Sequence, residues 1–275
     1  MDARFGKEAR LGRILRPETG RAVVVAASHP VMSGPIPGLR TREDITRAFS
    51  KINGADAVMI SPGMLPLIHE KFVGRDKPGL ILHLDWKNVG RSVYTPGKDG
   101  RSEGVLAQMA AIEDVAAAGF DAVMTYLYLG QMDSRLERAE IERNAHIARD
   151  CEKYGIGLII EPRSALEGTD VGSHSAPVMT TYCRIAADLG ADLVKCVWPD
   201  SLETWQEITE TCYVPVLLAG GPGGDDVPDT LRLARDTVDR GGAGVMFGRR
   251  VFCAKDPVDV LKQLGDVVHN GASVS

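Results

Sequence analysis

Lys195 lies in the run Ala191-Asp-Leu-Val-Lys-Cys-Val-Trp198, a cation among apolar neighbours. If Val194 and Cys196 face outward on a strand, the period of two sends Lys195 to the opposite, inner face. Desolvation there disfavours an ammonium, lowers its pKa, and yields the neutral amine that attacks a carbonyl to form an imine. The bland alternative is a lysine that snorkels or is ion-paired at the edge of the fold.

Two glycine-bearing runs point to a second kind of chemistry. Val216-Leu-Leu-Ala-Gly-Gly-Pro-Gly-Gly224 and Val245-Met-Phe-Gly-Arg-Arg250 each end an apolar stretch in residues whose backbone can approach a ligand closely. Either alone could be a simple turn. Placed after the last two strands of an α/β barrel, they are where phosphate is commonly bound. The expected phosphate contacts are Gly220, Gly221, Gly248 and Arg249, with the Arg249 guanidinium as the direct partner of the anion.

Further groups end apolar runs in the same manner. Glu161, in Leu158-Ile-Ile-Glu-Pro-Arg163, reads either as a general acid/base with a raised pKa or as the ion-pair partner of Lys195 or Arg163. Asp85 and Lys87, in His83-Leu-Asp-Trp-Lys-Asn88, read as catalytic and substrate-contacting groups or as a structural ion-pair network. Ser28 and His29, in Ala26-Ala-Ser-His-Pro-Val31, put a hydroxyl and an imidazole at a strand end, and Tyr126 offers a phenol or a wall residue. Six histidines show no His-x-His or His-Glu-x-x-His spacing, so no metal site is expected. Distant residues could still converge, and the alternative is a metal-dependent aldolase or isomerase with His29, His83 and Asp85 as ligands.

These residues need a scaffold that brings strand ends together. Eight strand-like runs are present: Ala22–Ala27, Ala57–Ile60, Leu80–Leu84, Ala122–Tyr126, Gly157–Glu161, Leu193–Val197, Val214–Ala219 and Gly244–Phe247. They alternate with helix-like segments at Glu43–Lys51, Met64–Phe72, Leu106–Ala117, Arg135–Tyr154, Ala176–Leu189, Leu202–Thr211, Pro228–Arg240 and Pro257–Val268. Eight of each predicts a (β/α)8 TIM barrel, class α/β, as a single domain over residues 1–275. A glycine phrase recurs before several strands (Asn53-Gly-Ala-Asp, Ala118-Gly-Phe-Asp, Leu189-Gly-Ala-Asp, Gly241-Gly-Ala-Gly), as helix-to-strand turns require. The polar stretches Asp85–Gly104 and Pro162–Ser175 follow strands three and five and are expected to shape the substrate site.

The chain's net charge of −5 comes without basic blocks, which argues against nucleic-acid or membrane partners and means that an anionic substrate needs a local positive site. No apolar run is long enough to cross a bilayer and the first ten residues are too charged for a signal peptide, so a cytoplasmic protein is expected. The five cysteines lack framework or zinc spacing and are expected to be reduced.

Taken together, the motifs resemble a known family. Arg10-Leu-Gly-Arg-Ile, Ser33-Gly-Pro-Ile-Pro-Gly-Leu39, Ala55-Asp-Ala-Val, Leu189-Gly-Ala-Asp-Leu-Val-Lys195, Pro215-Val-Leu-Leu-Ala-Gly-Gly-Pro222, Gly242-Ala-Gly-Val-Met-Phe-Gly-Arg249 and Phe252 with Asp256-Pro257 span nearly the whole chain. They are similar to the class I aldolases that include archaeal-type fructose-bisphosphate aldolase, the amino-dideoxyheptulosonate synthases and the autoinducer-processing thiolase. The resemblance implies that Lys195 is a Schiff-base nucleophile and that Gly220, Gly221, Gly248 and Arg249 bind phosphate, with no cofactor. It also implies a homo-oligomer, a decamer in many members. Two departures stand out: Ser28-His29 replaces the family's Asp-His, and Glu161 stands at the family's tyrosine acid/base. By length and by that divergence, the chain most resembles the branch that joins dihydroxyacetone phosphate to aspartate semialdehyde. The alternatives are fructose-bisphosphate aldolase, amino-dideoxyheptulosonate synthase, and a non-catalytic barrel that only binds a phosphorylated metabolite.

Overall fold

Eight parallel strands close on themselves in the order β1-β8-β7-β6-β5-β4-β3-β2, in a computed structural model that describes residues 2–87, 106–165, 174–221 and 226–273. The strands are β1 (Ala22–Ala26), β2 (Ala57–Ile60), β3 (Gly79–His83), β4 (Ala122–Leu129), β5 (Gly157–Ser164), β6 (Leu193–Cys196), β7 (Val216–Ala219) and β8 (Gly244–Phe247). The α-helices among the described residues are α1 (Ala3–Leu11), α2 (Pro30–Ser33), α3 (Arg42–Phe49), α4 (Leu65–Ile68), α5 (Ile112–Ala117), α6 (Ser134–Tyr154), α7 (Ala176–Asp188), α8 (Leu202–Thr211), α9 (Val227–Asp239), α10 (Arg249–Phe252) and α11 (Pro257–Asn270). This is the (β/α)8 barrel that the alternation predicts. None of these helices is long and apolar enough to cross a membrane.

The period of two sorts each strand between two cores. Val24, Met59, Ile81, Met124, Ile159, Leu193, Leu217 and Met246 fill the barrel. Val23, Val25, Val58, Leu82, Val123, Ile160, Val194 and Leu218 face the helix layer. Both faces are buried, which is why the strands are mostly apolar and rich in valine, leucine and isoleucine, with polar residues toward their carboxyl ends.

The N-terminal segment closes the bottom of the barrel, with Leu11, Ile14 and Leu15 packed on the inner core. The approach is tight: a Cβ on Gly79 would sit 3.0 Å from the Arg13 carbonyl, and one on Gly157 would sit 2.7 Å from Leu11 Cδ2. The aspartates of the recurring glycine phrase lock this plug. Asp56, Asp121 and Asp192 accept the backbone N–H of Val23, Leu80 and Leu158 at 2.6, 2.8 and 2.7 Å. The same three carboxylates pair with Arg16, Arg13 and Lys7 of the plug at 2.6, 3.2 and 2.9 Å. In the phrase itself Gly119, Gly190 and Gly241 turn the chain with φ of +82°, +101° and +84°, a region closed to most side chains.

Three expectations change. Leu106–Ala117 is not one helix: Ala107–Gln108 pairs antiparallel with Asp85–Trp86, Met109 N–H donates to the Leu84 carbonyl, and α5 begins only at Ile112. Ladder bonds made outside the segment override its helix propensity. Met64–Phe72 divides into a 3₁₀ turn (Pro62–Met64), α4 and a second 3₁₀ turn (His69–Phe72), because Ile68 leaves helical geometry at φ −137° and ψ 0°. Finally, β4 and β5 continue to Leu129 and Ser164, with Tyr128 opposite Arg163 and Leu129 opposite Ser164. Glu161 therefore lies inside β5 rather than at its end. The expected loop residues 88–104 and 166–173 lie outside the described residues.

Burial works to raise the pKa of Asp56, yet His269, the Val23 N–H and Arg16 together hold it below the usual carboxylate range. A carboxyl depressed in the folded state contributes stability above its unfolded value, about 3.9, and loses it as pH falls through the folded value. Asp56→Asn is expected to cost about 2–4 kcal/mol at neutral pH and to flatten the acid limb of stability below about pH 4. Urea unfolding midpoints between pH 2.5 and 7 test this; an acid limb as steep as the parent's would contradict it.

Candidate active site

The site is the inward face of the barrel's carboxyl ends. On β5 the alternation brings Ile159, Glu161 and Arg163 inward, on β4 Met124 and Tyr126, and on β6 Leu193 and Lys195. Tyr126 stands opposite Glu161 in the β4–β5 register, and Ile160 stands opposite Val194 in the next, so Glu161 and Lys195 are neighbours across strands. Lys195 Nζ donates to Glu161 Oε2 at 2.7 Å, and Arg163 donates to Oε1 at 2.8 Å. Glu161 is 1% exposed.

Such burial pushes the Glu161 carboxyl up, but the charges of Lys195 and Arg163, with their hydrogen bonds, outweigh it and hold the carboxyl below its ordinary range. The expected raised pKa is thereby corrected: with both oxygens on cations, Glu161 is held as a carboxylate. Burial, and next the charge of Glu161, push the Tyr126 phenol well above its usual value.

Lys195, Glu161, Arg163 and Tyr126 line a cavity of about 660 Å³ that continues to Ala219, Gly220, Gly221, Gly248 and Arg249. Among the described residues Lys195, Arg163 and Arg249 face one carboxylate, Glu161, in it, a local positive site on a chain of net charge −5. A recess of about 120 Å³ opens from the same wall and is lined by Ser28, His29, Met32, His83, Tyr126, Tyr128 and Lys195, among others.

The loops after β7 and β8 are bound to one another. Arg249 donates to the Gly221 carbonyl at 3.0 Å and is exposed at the rim. Arg250, not singled out from the sequence, donates to the Gly220 carbonyl at 2.7 Å and to Asp229 and Thr230 at 2.9 and 3.0 Å. Gly248 admits no side chain, since a Cβ there would lie 2.3 Å from His29 Cε1 and 2.4 Å from the Ala26 carbonyl. That close approach seats His29 between the β8 turn and Lys195. Burial, then the charges of Lys195 and Arg249, lower its pKa to about 4.

Asp85 and Lys87 are buried but line neither cavity. Asp85 Oδ2 accepts from the Tyr126 N–H at 2.9 Å and from Arg143 at 2.8 Å, and Thr125 also donates to it. Lys87 Nζ lies 3.9 Å from the centre of the Tyr128 ring. Ser28 Oγ is 2.9 Å from His83 Nδ1. Among the described residues no three His, Cys, Asp or Glu side chains converge as metal ligands would. The sequence offered Arg163 only as an ion-pair partner of Glu161, which it is, and gave no role to His174 and Trp198; all three also line the larger cavity. Arg163 was legible in principle, two residues beyond Glu161 on a face of period two.

Residues 23–254 match the model of the DeoC/LacD family of aldolases. The chain belongs to that family. Over 97% of its length the aldolase is 32% identical to 93% of a 2-amino-3,7-dideoxy-D-threo-hept-6-ulosonate synthase of Halobacterium salinarum. Over 99% it is 28% identical to 93% of a 2-amino-4,5-dihydroxy-6-oxo-7-(phosphonooxy)heptanoate synthase of Streptomyces griseus. A solved Schiff-base-forming fructose-1,6-bisphosphate aldolase superposes with a TM-score of 0.76 at 25% identity, covering 96% of this chain and all of the other. The aldolase is thus a class I, Schiff-base enzyme.

His29 of the aldolase is expected to titrate at about 4 by proton NMR, well below the usual 6.5. With the folded value below the unfolded one, protonation favours the unfolded chain, and stability present above about pH 6.5 is lost as pH falls toward 4. A His29 midpoint near 6.5 would show that the imidazole is neither desolvated nor under the charge of Lys195.

Proposed function

We propose that the aldolase captures dihydroxyacetone phosphate as a Schiff base on Lys195 and joins it to aspartate semialdehyde. The observation that carries this reading is the Lys195–Glu161 contact of 2.7 Å inside a cavity whose far rim is built from Gly220, Gly221, Gly248 and Arg249.

Nucleophilic attack needs the lysine as an amine, and Glu161 Oε2 is the acceptor in reach of the departing proton. The amine adds to the ketone carbon, water leaves, and the iminium draws the electrons released when a proton is lost from the adjacent carbon. The enamine so formed attacks the aldehyde, and hydrolysis returns Lys195. Arg249 and the glycine backbones hold the phosphate, which fixes the donor and turns a bimolecular encounter into an oriented one. Arg163 supplies a countercharge for the carboxylate of the acceptor. The Streptomyces relative's name supports this pair of substrates, and its similarity extends over 99% of the chain.

Lys195→Ala is expected to abolish turnover and borohydride-trappable label from dihydroxyacetone phosphate while the barrel stays folded. Glu161→Gln is expected to cost about 10²–10⁴ in both trapping rate and turnover, since proton removal from Nζ precedes both. Lys195→Ala activity within tenfold of the parent would refute the Schiff-base assignment.

Arg249→Ala is expected to raise KM for the phosphorylated donor about 10- to 100-fold, as loss of a charge-assisted contact of roughly 1.5–3 kcal/mol implies, and to leave dihydroxyacetone itself nearly unaffected. Steady-state kinetics with both ketones test it; equal effects would contradict the phosphate role.

A further inference from the structure

Beside the Lys195–Glu161 pair stands a second line of polar groups with no part in holding the lysine. Ser28 Oγ is 2.9 Å from His83 Nδ1, and His83 Nε2 is 3.5 Å from Asp85 Oδ1. The three residues are 2%, 2% and 0% exposed. Asp85 is anchored through its other oxygen by Arg143, the Tyr126 N–H and Thr125, which aims Oδ1 at the imidazole. Among the described residues His83 Nε2 and Asp85 Oδ1 make no hydrogen bond, and each is a buried polar atom that faces the other. A separation of this size closes readily when a site fills, as hydrogen bonds of catalytic groups commonly do.

Assigning the His83 proton to Nε2, the nitrogen that faces the carboxylate, makes Nδ1 the acceptor of the Ser28 O–H. The Ser28 oxygen then keeps lone pairs for a hydrogen from the recess, whose wall it shares with Lys195. Both Glu161 oxygens are already engaged, one by Lys195 and one by Arg163.

We propose that Ser28, His83 and Asp85 form a proton relay for the hydroxyl made or broken at the acceptor carbon, separate from Glu161, which serves the Lys195 nitrogen. The inference rests on the aldol reading above. In cleavage, the substrate hydroxyl gives its proton to Ser28 Oγ as the Ser28 proton passes to His83 Nδ1. The oxygen's electrons form the aldehyde C=O, and the pair of the breaking C–C bond flows to the iminium to give the enamine. Condensation runs the same steps backward from the doubly protonated His83 that cleavage leaves: the aldehyde oxygen takes the Ser28 proton as His83 Nδ1–H passes to Ser28 Oγ, His83 is left neutral, and the proton released on enamine formation restores it through the recess. Enamine formation releases one proton and the new hydroxyl takes up one, so no co-reactant is required. Ser28 touches the reacting oxygen, while His83 and Asp85 act through it.

The test uses the full chain with Ser28→Ala and His83→Gln, dihydroxyacetone phosphate as donor and aspartate semialdehyde as acceptor. Asp85 is left intact because its carboxylate also anchors Arg143, Thr125 and the Tyr126 N–H. Three rates are read: borohydride capture of the donor, exchange of its α-proton with deuterium from solvent, and C–C bond formation. Capture and exchange are expected within about threefold of the parent, while kcat for bond formation falls about 100-fold with KM little changed, and Ser28→Thr restores most of it. Equal losses in all three rates, as a displaced barrel wall would cause, overturn the relay. Bond formation within threefold of the parent in both variants overturns it too. A parent that captures and condenses but whose variants show no split refutes the relay alone; a parent that captures no donor refutes the aldol reading and the relay with it.

Discussion

Burying Lys195 inside the barrel demands a partner, and the structure around the site follows from meeting that demand. An unpaired ammonium in such a place costs several kcal/mol or must give up its charge, and Glu161 sits one strand away with its carboxylate against Nζ. A buried carboxylate between two cations is in turn held in place by the second of them, Arg163. This constraint makes the pair a chemical device: the group that makes the lysine tolerable in the fold is the group that can accept its proton.

The backbone serves the same site by coming close where side chains would intrude. Gly248 lets the β8 turn rest on Ala26 and His29, and Arg250 draws the β7 turn against α9 through Gly220, Asp229 and Thr230. Away from this mouth, surface arginines such as Arg184 and Arg235 pair with the aspartates Asp188 and Asp239. At the opposite end, the plug's Lys7, Arg13 and Arg16 answer Asp192, Asp121 and Asp56, so the barrel's closure and its chemistry sit on separate faces. Burial alone pushes Asp121 and Asp192 up, and only Asp56, with His269 added, falls below the ordinary carboxylate range.

The alternation of apolar runs and amphipathic segments was enough to specify the barrel, because a strand buried on both faces and a helix buried on one leave different periods in the chain. The same period of two placed Lys195 inward once Val194 and Cys196 were set outward. Gly248 and Arg249 were legible as a strand-end turn for a related reason: a glycine that closes an apolar run marks where the chain leaves the strand. What local pattern could not carry was the length of β4 and β5, since pairing beyond Glu161 is decided by ladder bonds to a neighbouring strand. With those three extra residues went the inward turn of Arg163 and the lowered, rather than raised, pKa of Glu161. Leu106–Ala117 shows the converse, a segment with helical periodicity whose first residues were claimed by the Leu84 carbonyl and the Asp85–Trp86 ladder. The sequence by itself therefore determined the architecture, the inward lysine and the glycine–arginine turns, all of which depend on residue type and local period. Only the tertiary structure decided which charges meet, because the protonation of Glu161, the neutrality of His29 and the Ser28–His83–Asp85 line depend on distances of a few ångströms between residues tens of positions apart in the chain, and no local pattern encodes those.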